Sequence, residues 1–108
     1  MKIYIAGKVS NNNNYYLEFC FMEKLLKREG FTKIVNPVRV MESVAGFLDY
    51  QTIINADLEL LENCDAVIML PNWKDSSGAI KAYNKANRKG LKIFEAETLS
   101  EIPKGLKN

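Results

Sequence analysis

Three short segments carry the side chains that could do chemistry: Gly7-Lys8-Val9-Ser10, Asn36-Pro37, and Pro71-Asn72-Trp73-Lys74-Asp75-Ser76-Ser77-Gly78. Gly7 follows an apolar run. A glycine there lets the backbone turn sharply and come close to a ligand, although an ordinary turn would use it too. Ser76, Ser77 and Gly78 open a helical pattern. Free N–H groups and the helix dipole at such an end suit an anion such as phosphate; the plainer use of Ser76 or Ser77 is N-capping. Trp73 is the only tryptophan and stands in a polar loop. It could stack on a base or cover an edge of the core. Lys8 could pair with a phosphate or be an ordinary solvated loop lysine.

Several chemistries are set aside by composition. The chain has no histidine, which removes the commonest general base and the commonest zinc ligand. No G-x-G-x-x-G follows the first apolar run and no G-x-x-x-x-G-K-[ST] occurs, so the dinucleotide fingerprint and the P-loop are both missing. The formal net charge of +2 is too weak to argue for nucleic acid or a membrane surface. No apolar run approaches the roughly 18 residues of a membrane span. Met1-Lys2-Ile3-Tyr4-Ile5 is too short and too strand-like for a signal peptide. Cys20 and Cys64 sit in apolar helical patterns, which reads as free thiols in a reducing cytoplasm. Neither a metal nor a cofactor is expected.

These loops must be positioned by a framework, and 108 residues, 47% of them apolar, suffice for one packed α/β domain. Strands are predicted at Lys2–Ala6, Phe31–Asn36, Asp65–Leu70 and Leu91–Phe94. The third is a continuous apolar run and reads as a central strand. Helices are predicted over Tyr15–Arg28, Asp49–Asn63, and from about Ser77 to just before Gly90. In the first, Leu17, Phe21 and Leu25 form a stripe that Met22 and Leu26 widen. In the second, Tyr50, Ile54, Leu58 and Leu61 form the apolar face. In the third, Ala79, Ala82, Tyr83 and Ala86 share a face that allows close packing on a sheet. Asn11 to Asn14 read as a turn, Val38–Leu48 as a long irregular connection, and Glu95–Asn108 as a tail with a weak helix near Thr98–Ile102. The β-α-β-α-β-α-β order implies a parallel sheet covered on both faces, and right-handed crossovers favour the order 2-1-3-4. Strands 1 and 3 then flank the switch point, where open α/β sheets bind their ligands. All three loop segments leave the sheet at that edge.

Taken jointly, Met1-Lys2-Ile3-Tyr4-Ile5-Ala6-Gly7, Asn36-Pro37, Ala56-Asp57 before Asp65, Leu70-Pro71-Asn72-Trp73 and Ser76-Ser77-Gly78-Ala79 resemble the nucleoside 2-deoxyribosyltransferase-like proteins. The match is to their short branch common in bacteriophages and prophages. The resemblance covers about residues 1–95 and leaves 96–108 as a tail. It implies a flavodoxin-like or Rossmann-like three-layer sandwich and a ligand containing a base and a ribose. It also implies an oligomer, a dimer or larger, whose neighbours complete the pocket. Catalytic members attack the anomeric carbon with a glutamate four residues after the loop glycine. Here that glycine is Gly78 and the matching position is Ala82. Asp57 matches the aspartate that contacts the nucleoside. Asp65 also matches, although an aspartate at a strand start is more often structural. The aspartate six residues before the nucleophile aligns with Ser76, beside Asp75.

The expectation is therefore a cytoplasmic binding protein for a nucleoside- or nucleotide-type small molecule, with no nucleic-acid or membrane partner. Gly7, Lys8 and Ser10 would approach sugar or phosphate, with Asn36 and Pro37 beside them. Asp57 would accept hydrogen bonds from ribose or base. Asn72 and Trp73 would border and cover the base. Ser76, Ser77 and Gly78 would face an anion. In a phage setting such a protein could sequester a nucleotide-derived defence signal of the cyclic ADP-ribose or cyclic-nucleotide type. The competing reading is an N-glycosidase or 2-deoxyribosyltransferase with a relocated carboxylate, Asp57 or Asp75. A third is an interaction module that only shares the fold.

Overall fold

The computed structural model of the chain describes residues 1–39 and 58–102. Four strands, β1 (Lys2–Ala6), β2 (Lys33–Val35), β3 (Ala66–Met69) and β4 (Lys92–Glu95), form one parallel sheet in the order β2-β1-β3-β4. Two long helices, α1 (Tyr15–Arg28) and α2 (Ser77–Lys89), pack on opposite faces. Residues 37–39 and 58–62 are also helical. The register aligns Ala6 with Met69 and Tyr4 with Val35, so the ends of β1, β2 and β3 lie at one edge.

The two central strands are buried on both sides, which is why they read as apolar runs rather than alternating ones. Ile3, Ile5, Ala66 and Ile68 meet Phe19, Met22 and Leu26 of α1 on one face. Tyr4, Ala6, Val67 and Met69 meet Leu61, Cys64 and the small residues Ala79, Ala82 and Ala86 of α2 on the other. Gly90 adopts φ 74° and stops α2, and Gly30 at φ 103° follows α1. Both are left-handed positions that suit a residue without a Cβ. At the amino edge, Asp65 clips β1 to β3: the Lys2 amide donates to its Oδ2 at 2.8 Å, and the Asp65 amide donates to the Lys2 carbonyl at 2.8 Å. Asp65 is thus a structural residue at the end of the sheet away from the three loops.

Three sequence expectations are corrected. Of the expected stripe on α1, Met22 and Leu26 are buried and Leu25 packs against the core, but Leu17 and Phe21 do not dock on the sheet. Phe19, outside that stripe, is buried with Met22 and Leu26, while Leu17 and Phe21 remain 70% and 63% exposed. The apolar face of the helix is wider than the sheet can cover, and the side centred on Phe19, Met22 and Leu26 packs with Ile3, Ile5 and Ile68. Second, β2 is shorter than Phe31–Asn36: Phe31 turns into the core, and Asn36 leaves the sheet as a side-chain anchor. Third, the stretch from Val38 is not irregular from its start, because residues 37–39 are helical and Val38 is buried. In the tail, Ala96–Glu101 forms a 3-10 helix, and Leu99 and Ile102 pack into the core on the α1 side. Asp57, Tyr50, Ile54 and the rest of 40–57 lie outside the described residues.

Candidate functional site

The connections from β1 and β3 leave the same edge and part to opposite faces. β1 leads toward α1, and β3 leads through the 3-10 turn Trp73–Asp75 to α2. That divergence at the switch point opens a crevice in parallel α/β sheets. The loops that border it are built as follows.

Gly7 is buried, and its lack of a side chain is a packing requirement. A Cβ there would stand 2.6 Å from Leu70 Cδ1 and 2.9 Å from Leu70 Cβ. The cause is the sheet itself, because the Leu70 amide donates to the Ala6 carbonyl at 2.8 Å and draws the two exits together. Lys8 is half-buried and Ser10 is exposed in the turn that follows. Asn12 organises that turn: its Nδ2 donates to the Lys8 carbonyl and to Glu18 Oε1, each at 2.8 Å, and its Oδ1 accepts from the Asn14 amide. The asparagine run is a folded turn in which the Asn12 side chain supplies partners for the backbone.

Asn36 is buried and its polar atoms are engaged within the chain. Nδ2 donates to Glu23 Oε1 at 2.9 Å and lies 3.8 Å from Cys20 Sγ, and Oδ1 accepts from the Val38 amide at 3.3 Å. Glu23 also accepts from Arg39 Nε at 2.8 Å and pairs with Lys27 at 3.1 Å. Burial pushes the Glu23 carboxyl upward, but hydrogen bonds from Arg39, Asn36 and Lys27 outweigh it and hold its pKa at about 2. This cluster fastens the exit of β2 to α1, with Pro37 buried beside it.

On the β3 side, Trp73 stacks on Tyr83 of α2, with ring centroids 4.7 Å apart and planes 18° apart. The Lys74 ammonium sits 5.7 Å from the Trp73 ring centroid. Ser76 is the N-cap of α2, its Oγ accepting from the Ala79 amide at 3.2 Å. Ser77 is exposed on the first turn. Gly78 differs from Gly7, since a Cβ there would meet only Ser76 Oγ, at 3.9 Å. Nothing described in the chain requires a glycine at 78. Asn72 ends β3's exit with its Oδ1 buried and without a hydrogen-bond partner among the described residues. One turn below Gly78, Ala82 is buried against the sheet among Tyr4, Val67 and Ala86.

The described structure thus brings Gly7, Asn36, Pro37 and Asn72 to one edge, with Trp73 and Ser76–Gly78 on the α2 side. The roles of Tyr83, Glu23 and Leu70 were not visible in sequence, because each partner is distant along the chain and follows no local periodicity. Among the described residues no group of histidine, cysteine or carboxylate side chains could hold a metal, and no helix is long and apolar enough to cross a membrane. Cys64 is buried, and burial raises its thiol pKa to about 11. Cys20 is half-buried.

Fold and loop arrangement define a parallel three-layer α/β protein of the flavodoxin-like or Rossmann-like kind, with a polar loop cluster at the strand-order reversal. The chain belongs to the family described as domain of unknown function DUF4406, whose model matches residues 1–95. No curated protein and no solved structure matches it.

Proposed function

We propose that this protein binds a nucleoside- or nucleotide-type small molecule at the carboxyl edge between β1 and β3, and does not turn it over. The observation that carries the binding is Asn72, whose buried Oδ1 has no partner among the described residues. A buried acceptor left unpaired costs about 1–3 kcal/mol. At a loop on the switch point, a ligand N–H or O–H is the natural donor to offset that cost. Gly78 supports the same reading, because its missing side chain fills no need inside the chain and leaves the first turn of α2 open to close approach.

Absence of turnover rests on Ala82. The resemblance to the nucleoside 2-deoxyribosyltransferase-like proteins aligns this position with their attacking glutamate. A methyl group has no electron pair with which to form the glycosyl intermediate. The same resemblance extends the proposal to a phage-type protein that sequesters a nucleotide-derived signal of the cyclic ADP-ribose or cyclic-nucleotide type. Gly7, Lys8, Ser10, Asp57, Trp73, Ser76 and Ser77 complete the proposed lining, with Trp73 offering whatever ring surface Tyr83 leaves open.

The test is a thermal-shift series over nucleosides, their mono- and diphosphates and cyclic forms, with free base assayed in parallel. A stabilising compound that is recovered intact supports the proposal. Release of free base that disappears in Asp75→Ala or Asp57→Ala supports a relocated catalyst instead. No shift with any compound overturns binding.

A further inference from the structure

We infer that the hollow between α1 and the 3-10 helix Ala96–Glu101 receives an uncharged heteroaromatic ring, the base end of the ligand, and keeps any phosphate outside. This rests on the nucleoside-binding reading and deepens it, because it sets the ring on the α1 face of the sheet and not against Trp73. The hollow measures about 440 Å³ and is bordered by Pro71 and Asn72, where β3 leaves the sheet. Small-molecule sites have volumes of about 300–1,000 Å³ and are lined mainly by apolar side chains with a few polar groups. Met22 and Leu70 are the buried part of this lining, and Leu25 and Ala96 stand half-buried beside them. Phe21 lines the rim and leaves 63% of its surface to solvent. Its ring is therefore open to stacking on a flat occupant.

Asn72 decides between a base and a plain apolar occupant. Its Oδ1 is buried and has no partner among the described residues. The amide carries that acceptor beside a pair of N–H donors. The terminal torsion of asparagine is soft, so the amide can turn to meet an occupant. An adjacent donor and acceptor match the acceptor and donor on the edge of a base, the pairing by which asparagine reads adenine. An aliphatic chain in the hollow would leave the amide as unpaired as before.

The charges decide which end of the ligand enters. Glu18 and Glu97 line the hollow, and no lysine or arginine lines it among the described residues. Glu18 Oε1 accepts from Asn12 Nδ2, but that donor is a neutral amide and leaves the carboxylate charged. Two carboxylates on an apolar cavity repel a phosphate and leave an uncharged ring undisturbed.

Calorimetric titration with adenosine, guanosine, cytidine and uridine tests this on the wild-type chain and on Phe21→Ser and Asn72→Leu. Each variant is expected to weaken the tightest nucleoside about tenfold. Phe21→Ser is expected to keep the wild-type thermal midpoint, because the ring is exposed. Asn72→Leu is expected to match or exceed that midpoint, because an apolar group of similar shape removes the unpaired acceptor. Excess inorganic phosphate is expected not to displace the nucleoside. Equal affinity in all three proteins overturns the hollow and leaves nucleoside binding standing, as does binding of nucleotides without nucleosides. Displacement by phosphate, or an Asn72→Leu midpoint below wild type, also overturns it. Binding of neither nucleosides nor nucleotides overturns the underlying reading as well.

Discussion

Gly7 and Gly78 look alike in the sequence, each beginning a loop or helix near the sheet edge, yet they answer to different constraints. Gly7 is held by Leu70, so Gly7→Ala is expected to lower stability by about 1–3 kcal/mol in urea unfolding, through overpacking against a buried side chain. Gly78 has room for a methyl group, and Gly78→Ala is expected to leave stability unchanged or raise it by up to about 1 kcal/mol. Under the binding proposal that variant loses ligand affinity, which separates a binding role from a folding role at one residue. Cysteine reactivity follows burial: Cys20 is expected to react with a thiol reagent at pH 8 well before Cys64, whose thiol is raised to about 11. Equal rates would contradict the packing of Cys64 against the sheet.

At the scale of elements, the ends of α1 and α2 were legible because basic last turns, the glycines that follow and, for α2, the Ser76 cap are local signals. Which side of α1 faces the sheet was legible in part: Met22 and Leu26 were read as apolar-face residues and are buried, but Phe19 was missed and Leu17 and Phe21 are exposed. The apolar face of that helix is broad, and which part of it is covered depends on side chains from β1 and β3 far along the chain. The same distance hid the Glu23–Asn36–Arg39 cluster that ties β2's exit to α1. Glu23 titrates near 2 in the folded protein against an ordinary 4.5. Its contribution is therefore fully present above pH 4.5 and is lost as pH falls through about 2. Glu23→Gln is expected to flatten the fall in stability between those values, as read from thermal midpoints; an unchanged slope would show that the cluster does not hold the carboxylate. The 3-10 helix Ala96–Glu101 belongs to the core through Leu99. Leu99→Ala is expected to cost about 2–4 kcal/mol, whereas a dispensable tail would lose almost nothing.

For the molecule as a whole, strand order was the most legible property. Alternating strands and helices, right-handed crossovers and one continuous apolar strand lead to β2-β1-β3-β4, which the sheet adopts. That order places the loops at a switch point and so makes the edge between β1 and β3 the place to seek a ligand. The candidate site was legible only as a set of loops. Asn36 spends its hydrogen bonds on α1 and Trp73 spends ring surface on Tyr83, facts of side-chain packing that no sequence spacing encodes. Binding without turnover is tested most directly by incubating the protein with the compound that stabilises it most, then heating it and weighing what is released. Recovery of that compound intact, in proportion to protein and reduced in Gly78→Ala, is the expected result. Free base and sugar in its place, or no bound compound at all, would contradict it.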